Sequence, residues 1–415
     1  MLSGSSMGRI DGSKEELYMS VFQEISDYID TISVIDTHCH KLPRQERFPS
    51  GIQDLVEHSY LGWCHRDWDG TKEAAAEFVR GLKHNSYFFW IEKSLQKLLG
   101  TEQRLDENTY PWFDQKIREF SSSLASDDEF LRNVCHYDKI VLDGYWEPGT
   151  NLGNPGLYTP TYRINQFLFG YQPDTVDDNG NNPFLVYGWP KDLEFDQYLD
   201  KIEEKITEKM AQGCVALKSS LPYDRSIHFK ERTYDEAKRG YQNPDASRED
   251  IVAFQDYIYF YICRIAAKYD IPFQNHTGLG NLEGSNAMLL KEVISKNPKT
   301  RFILFHGSFP WTDDALALIH NYSNVYADLC WLPSISTTTA IYFLKQLIET
   351  GKADAITWGC DSWTVIESYG AYLAGRYAVA KALADLIEDA FMTLEEGKEL
   401  ADNIFRTNAK RIYNI

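Results

Sequence analysis

Apolar and polar positions along this chain switch repeatedly between two periods. Short runs rich in β-branched and aromatic residues alternate with longer stretches whose apolar residues fall three and four apart. The short runs predict strands at Ile32–Asp36, Lys139–Asp143, Tyr162–Phe169, Cys214–Lys218, Ile271–Asn275, Arg301–Phe305, Asn324–Asp328 and Ala355–Trp358. Phe184–Tyr187 competes for the third place. The longer stretches predict helices over Glu15–Tyr28, Glu73–Leu82, Phe88–Leu99, Glu249–Tyr269, Asn286–Lys296 and Ser336–Glu349. Pro272 and the Asn297-Pro298 pair punctuate the joins.

Strands alternating with helices imply a parallel sheet, and eight strands are the number that closes one. The expected fold is therefore an α/β (β/α)8 TIM barrel. Its 415 residues read as a single domain, 1–415, ordinary in length for a barrel with insertions. The first and second strands lie far apart, leaving a helical insertion at about 46–137. Loops after the C-terminal ends of strands surround a barrel's mouth, so a lid is one reading of this segment and a dimerisation element the other.

Polar clusters recur in one kind of place, just past an apolar run. They are Asp36-Thr-His38-Cys-His40, Gln274-Asn-His276-Thr-Gly278, Phe305-His306-Gly307 and Gly359-Cys-Asp361-Ser362. Strand side chains alternate, so His38 and His40 share a face, and two imidazoles at that spacing suit a borderline metal. Singly, each cluster has a plain structural explanation: a hydrogen-bonded core histidine for His276, a helix cap for Asp361. Jointly, four of ten histidines and one aspartate sit at strand ends that a barrel gathers into one site.

In chain order, this set resembles the amidohydrolase superfamily. The Phe305-His-Gly-Ser-Phe-Pro-Trp311 run and the Asn324–Asp328 strand resemble the amidohydrolase-related ("amidohydrolase 2") branch, which includes decarboxylases and is related to uronate isomerases. The resemblance implies His38, His40 and Asp361 as metal ligands, with His276 a further ligand or a catalytic group beside the metal. It implies that His306 binds a second metal or the substrate. Lys218 ends the fourth strand, where binuclear relatives carry a bridging carboxylated lysine; kept charged, it would bind a substrate carboxylate. The Lys218 to Arg225 stretch resembles nodulin-like and glutamine-synthetase-like relatives, making Tyr223 and Arg225 candidate substrate contacts, Arg225 as a carboxylate clamp. An ion pair with Asp224 or another neighbour is the alternative for Arg225. Trp331, Arg66, Trp63 and His65 are further candidates for the pocket, as are Arg163, Asn165, Trp358 and Trp363.

The implied cofactor is a divalent metal, zinc foremost, as one or two ions. The implied chemistry is hydrolysis of an amide, lactam or lactone in a small, polar, carboxylate-bearing substrate. A metal-activated water would attack, with Asp361, His276 and His306 as the catalytic groups. Uronate isomerisation or decarboxylation on the same scaffold is the alternative, and a non-catalytic scaffold barrel is a second. Asp361 is followed by Ser-Trp-Thr-Val-Ile, without the basic continuation expected of a uronate isomerase.

Composition narrows the partners. With 42 basic and 61 acidic side chains the formal charge is −19, which repels nucleic acid and anionic membranes. Seven scattered cysteines without a CxxC pair, no apolar leader and no membrane-length apolar run predict a cytoplasmic protein with reduced thiols. The aromatic-rich insertion is compatible with a homo-oligomer.

Overall fold

The computed structural model describes residues 12–41, 51–64, 71–124 and 126–415. Eight parallel strands follow one another around a single sheet: β1 (Val34–Cys39), β2 (Tyr137–Leu142), β3 (Tyr158–Arg163), β4 (Ala216–Ser219), β5 (Phe273–Asn275), β6 (Phe302–Phe305), β7 (Val325–Asp328) and β8 (Ile356–Thr357). Helices pack outside, so the fold is a (β/α)8 TIM barrel.

Backbone bonds between β1 and the segment leaving β8 close the cylinder. Thr37 N donates to Trp358 O at 3.2 Å, Asp361 N to His38 O at 2.8 Å and His40 N to Ser362 O at 3.0 Å. A layer of Ile35, Val141, Ala216, Ile303 and Phe305 fills the inside. Ala409, Ile412 and Tyr413 of the last helix (Asn408–Tyr413) join that layer. Gln274 Nε2 donates to both Thr37 O and Tyr413 Oη at 2.9 Å, binding this plug to β1 and β5.

β3 begins four residues before its predicted start. Pro160 obscured it, since proline reads as a strand breaker. Pro160 needs no N–H here, and its carbonyl accepts from Val215 N at 2.9 Å. The residues predicted to continue the strand form a 3-10 turn, Asn165–Leu168. Phe184–Tyr187 belongs to a short helix started by Pro183 and capped by Asn182, whose side chain accepts from Phe184 N. The longest helix, Val365–Glu388, lacked a readable stripe because it is buried on several sides, against helices Gly12–Ile29, Ser86–Leu99 and Thr337–Glu349.

The insertion between β1 and β2 contains helices Ile52–Glu57, Lys72–Leu82, Ser86–Leu99, Tyr110–Ser123 and Asp127–Asn133, and a 3-10 turn over Tyr60–Cys64. Its apolar residues, among them Phe78, Phe88, Ile91, Phe113 and Ile117, merge with the main core. All seven cysteines are unpaired, and no described helix is long and apolar enough to cross a membrane.

Closure at β1 and β8 demands a glycine at 359. A Cβ there would stand 2.7 Å from His38 N and 3.1 Å from Cys330 Cβ. Gly359→Ala is expected to cost about 1–3 kcal/mol in urea unfolding. Because the displaced backbone carries His38, the same variant should also bind divalent metal more weakly in a competition titration.

Candidate active site

Strand ends bring the expected residues to one place at the barrel mouth. His38 and His40 lie with ring centroids 4.8 Å apart. His276 and His306 follow β5 and β6, with His276 Nδ1 3.1 Å from His306 Nε2. Asp361 stands between the two pairs, its Oδ1 3.4 Å from His40 Nε2 and its Oδ2 3.6 Å from His306 Nε2. His306 (φ 62°), Trp331 (φ 61°) and Asp361 (φ 51°) all occupy the left-handed region just past a strand. That conformation is costly for a tryptophan, and such strain concentrates at functional sites.

The tautomers follow from what the outer nitrogens face. His40 Nδ1 lies 3.0 Å from Asp143 O and His306 Nδ1 2.8 Å from Cys330 O, while His276 Nε2 faces Leu279 O. Carbonyl oxygens only accept, so each of these nitrogens carries its ring's proton. Burial, reinforced for His276 by the positive Lys218, holds the rings neutral; His276 falls to about 3, and His38, His40 and His306 are lowered too. Three inner lone pairs gather here: those of His40 Nε2 and His306 Nε2 face Asp361, and that of His276 Nδ1 faces His306 Nε2. Two of them confront each other at 3.1 Å, a repulsive contact that a cation between them relieves. Neutral imidazole is the form that ligates metal, and a tetrahedral ion with bonds near 2.0–2.1 Å sets its ligands about 3.3 Å apart. The donor set therefore fits a divalent metal. His38 has a buried, unpartnered Nδ1, while its Nε2 lies 3.4 Å from Lys218 Nζ and 4.0 Å from Asp143 Oδ2. Buried donor groups with metal-ligand spacing are found in His38, His40 and Asp143, and again in His306, Cys330 and Asp361.

Two cations, Lys218 and Arg163, line one cleft with His40, His276 and Asp361, together with Asp178. Burial drives the Lys218 ammonium down to about 8, against the pull of Asp143 and Asp361. It sits 4.0 Å over the Phe305 ring, and among the described residues no carboxylate lies within ion-pair distance of it. Arg163 donates to Asp143 Oδ2 at 2.6 Å and Oδ1 at 3.2 Å, and to Ser220 Oγ at 2.8 Å. Burial alone would raise the Asp143 carboxyl, but Arg163, His40 and Lys218 together hold it at about 2. A cleft of about 230 Å³ opens here, lined by His40, Lys218, His276 and Asp361, with aromatic walls from Tyr60, Trp63, Tyr145, Tyr223 and Trp363. Trp363 stacks on His40 at 4.8 Å, and Tyr60 Oη donates to Asp361 Oδ1 at 2.8 Å.

Several expectations need correction or refinement. Arg225, expected as a carboxylate clamp, does not line the cleft: its guanidinium donates to Gln255, Asp256 and Ser226 O and lies over the Phe229 ring. The helix Arg248–Lys268 supplies Gln255 and Asp256, which no local pattern near Arg225 reveals. His306 meets Asp361 and His276 but does not line the cleft, and Trp331 packs one layer back, 4.3 Å from the Tyr60 ring. Tyr223 does line it, its ring 4.7 Å from His276. Trp358 is core, beneath Gly375. Arg66 and His65 lie outside the described residues. Asp143 and Tyr60 escaped the sequence reading. Asp143 directly follows an apolar strand, the signal that found the others, whereas Tyr60 sits in the insertion with none.

The Arg163–Asp143 pair yields a prediction. Arg163→Met strands a buried carboxylate and should cost about 3–5 kcal/mol in urea unfolding at neutral pH. Asp143 is depressed below its ordinary 3.8. The pair's contribution is therefore present above pH 4, and the gap between wild type and variant should shrink as pH falls towards 2.

Comparison with known proteins bears on the family and the fold. The amidohydrolase family model matches residues 186–415, more than half of the chain. Protein fluG of Emericella nidulans is 32% identical over 152 residues, 35% of this chain and 17% of that protein. A uronate isomerase of Shouchella clausii is 21% identical over 305 residues, 64% of this chain and 61% of that enzyme. The chain thus spans less than two thirds of either relative's length. Among solved structures, uronate isomerase from Thermotoga maritima superposes with a TM-score of 0.74 at 14% identity, covering 99% of this chain and 100% of the other. At that identity the likeness speaks for the fold alone. The family match, the barrel and the strand-end histidines and aspartate lead to one conclusion: this chain is an enzyme-fold member of the amidohydrolase family.

Proposed function

We propose that this protein is a metal-dependent hydrolase that opens a C–N or C–O bond, of amide, lactam or lactone type, in a small, polar, carboxylate-bearing molecule. The observation that carries this reading is the meeting of His40 Nε2 and His306 Nε2 at Asp361, with His276 Nδ1 against His306, at a cleft that Lys218 and Arg163 also line. His40, His276, His306 and Asp361 would hold a divalent cation, with His38 in reserve beside Lys218, and the cation would supply Lewis acidity for polarising a carbonyl and acidifying water near neutral pH. Zinc is the first choice for a nitrogen-rich set.

The chain's own groups do the rest. Tyr60 Oη pins Asp361 Oδ1, which leaves Oδ2 to take a proton from water and return it to the leaving group. Among the described residues no carboxylate forms an ion pair with Lys218, so its ammonium is the natural seat for a substrate carboxylate. Arg163 is committed to Asp143 and Ser220, and contributes field more than contact. The aromatic walls exclude water and give planar surfaces for a small ring or acyl chain to lie on.

Uronate isomerisation is the second reading, favoured by the curated uronate isomerase relative that aligns with 64% of the chain. It would use the same cation site and Lys218, with Tyr60 and Asp361 moving the proton.

Metal-loaded protein should hold about one or two divalent ions per chain by elemental analysis; a small fraction of one ion would leave only a scaffold. Incubated with lactones it should release acid in a pH-stat, and with N-acyl amino acids it should release free amine, while uronates should stay unchanged. A ketose formed without acid release would overturn hydrolysis in favour of isomerisation. Asp361→Asn should lower turnover by about 10²–10⁴-fold, and Lys218→Met should raise KM far more than it lowers kcat.

A further inference from the structure

Outside the cation site, one buried carboxylate holds two of the cleft's aromatic walls at once. Glu367 lies in the first turn of helix Val365–Glu388 and is 7% exposed. Its Oε1 accepts from Tyr60 N at 2.9 Å, and its Oε2 accepts from Trp363 N at 2.8 Å. Both donors are backbone groups at helix starts, where N–H groups have no partner within their own helix. Tyr60 opens the 3-10 turn Tyr60–Cys64 in the insertion, while Trp363 precedes Thr364, the cap of Val365–Glu388. The two anchored residues are the ones that reach the site, Tyr60 through its bond to Asp361 Oδ1 and Trp363 through its stack on His40.

We propose that Glu367 is a positioning residue that registers the insertion against the barrel, setting Tyr60 on Asp361 and Trp363 on His40. It touches none of the candidate ligands itself. Buried donors that lose their acceptor are costly to leave unpaired, and these two bonds bridge segments about 300 residues apart in the chain. The rest of the insertion has its own anchors. Trp90 Nε1 donates to Thr337 Oγ1 at 2.8 Å and Ser94 Oγ to Ile366 O at 2.7 Å. Loss of the Glu367 clip therefore releases the Tyr60 segment and leaves the surrounding helices packed. Its catalytic consequence rests on the role given above to Asp361; the positional claim does not.

Glu367→Gln is the isosteric test, because its amide NH2 confronts one of the two N–H donors it replaces an acceptor for. In the metal-loaded full chain, amide hydrogen exchange over residues 52–64 should quicken about tenfold, while peptides from β4 to β6 keep their wild-type rates. Unchanged exchange over 52–64, or a rise spread evenly over the barrel, would overturn the proposal. A second arm uses Tyr60→Phe and the double variant with any substrate that wild type turns over. Because Glu367 acts partly through Tyr60, adding Glu367→Gln to Tyr60→Phe should cost clearly less than Glu367→Gln costs in wild type; fully multiplying losses would overturn it. Should Tyr60→Phe be silent while exchange still quickens, the positional claim stands and the catalytic reading of Asp361 falls.

Discussion

Closure of the sheet between its first and last strands is the constraint on which this site depends. The bonds that join Thr37, His38 and His40 to Trp358, Asp361 and Ser362 are ordinary backbone bonds. They bring side chains more than 300 positions apart into one mouth without any chemistry of their own. Because the join is made at backbone level, His38 and Asp361 need not attract one another to meet. The residues at the seam are free to be chosen for reactivity, and Gly359 is the space that choice requires.

Burial then determines what those side chains are. Taken out of water, the imidazoles stay uncharged and the lysine is pushed towards losing its proton, while Asp143 keeps its charge only because Arg163 is beside it. Backbone carbonyls accept from the outer N–H of three histidines, which fixes the direction of those three inner lone pairs. The orientation of the site is thus written largely in main-chain oxygens, a layer of control that residue identity alone does not reveal.

Much of this was legible beforehand, and the gaps have physical causes. Seven of the eight strands announced themselves as short apolar runs, because parallel strands buried on both faces need them. β3 did not, because Pro160 hides in a register where only its carbonyl is used. The four histidines and Asp361 were readable since each follows a strand, and barrels gather strand ends. Arg225 misled because a basic residue near the mouth is neutralised by a helix 30 positions on, and pairing at that range leaves no trace in local pattern. Tyr60 and Glu367 were invisible for a related reason: their roles arise from where the insertion docks.

The plug of Ala409, Ile412 and Tyr413 beneath the inner layer carries a consequence for the cleft. With the underside filled by the chain's own last helix, the described cleft lies on the side where Trp63, Tyr145 and Trp363 stand. The insertion lends Tyr60 and Trp63 to that side, so a segment far from the later strands in sequence shares in shaping the cleft they end at.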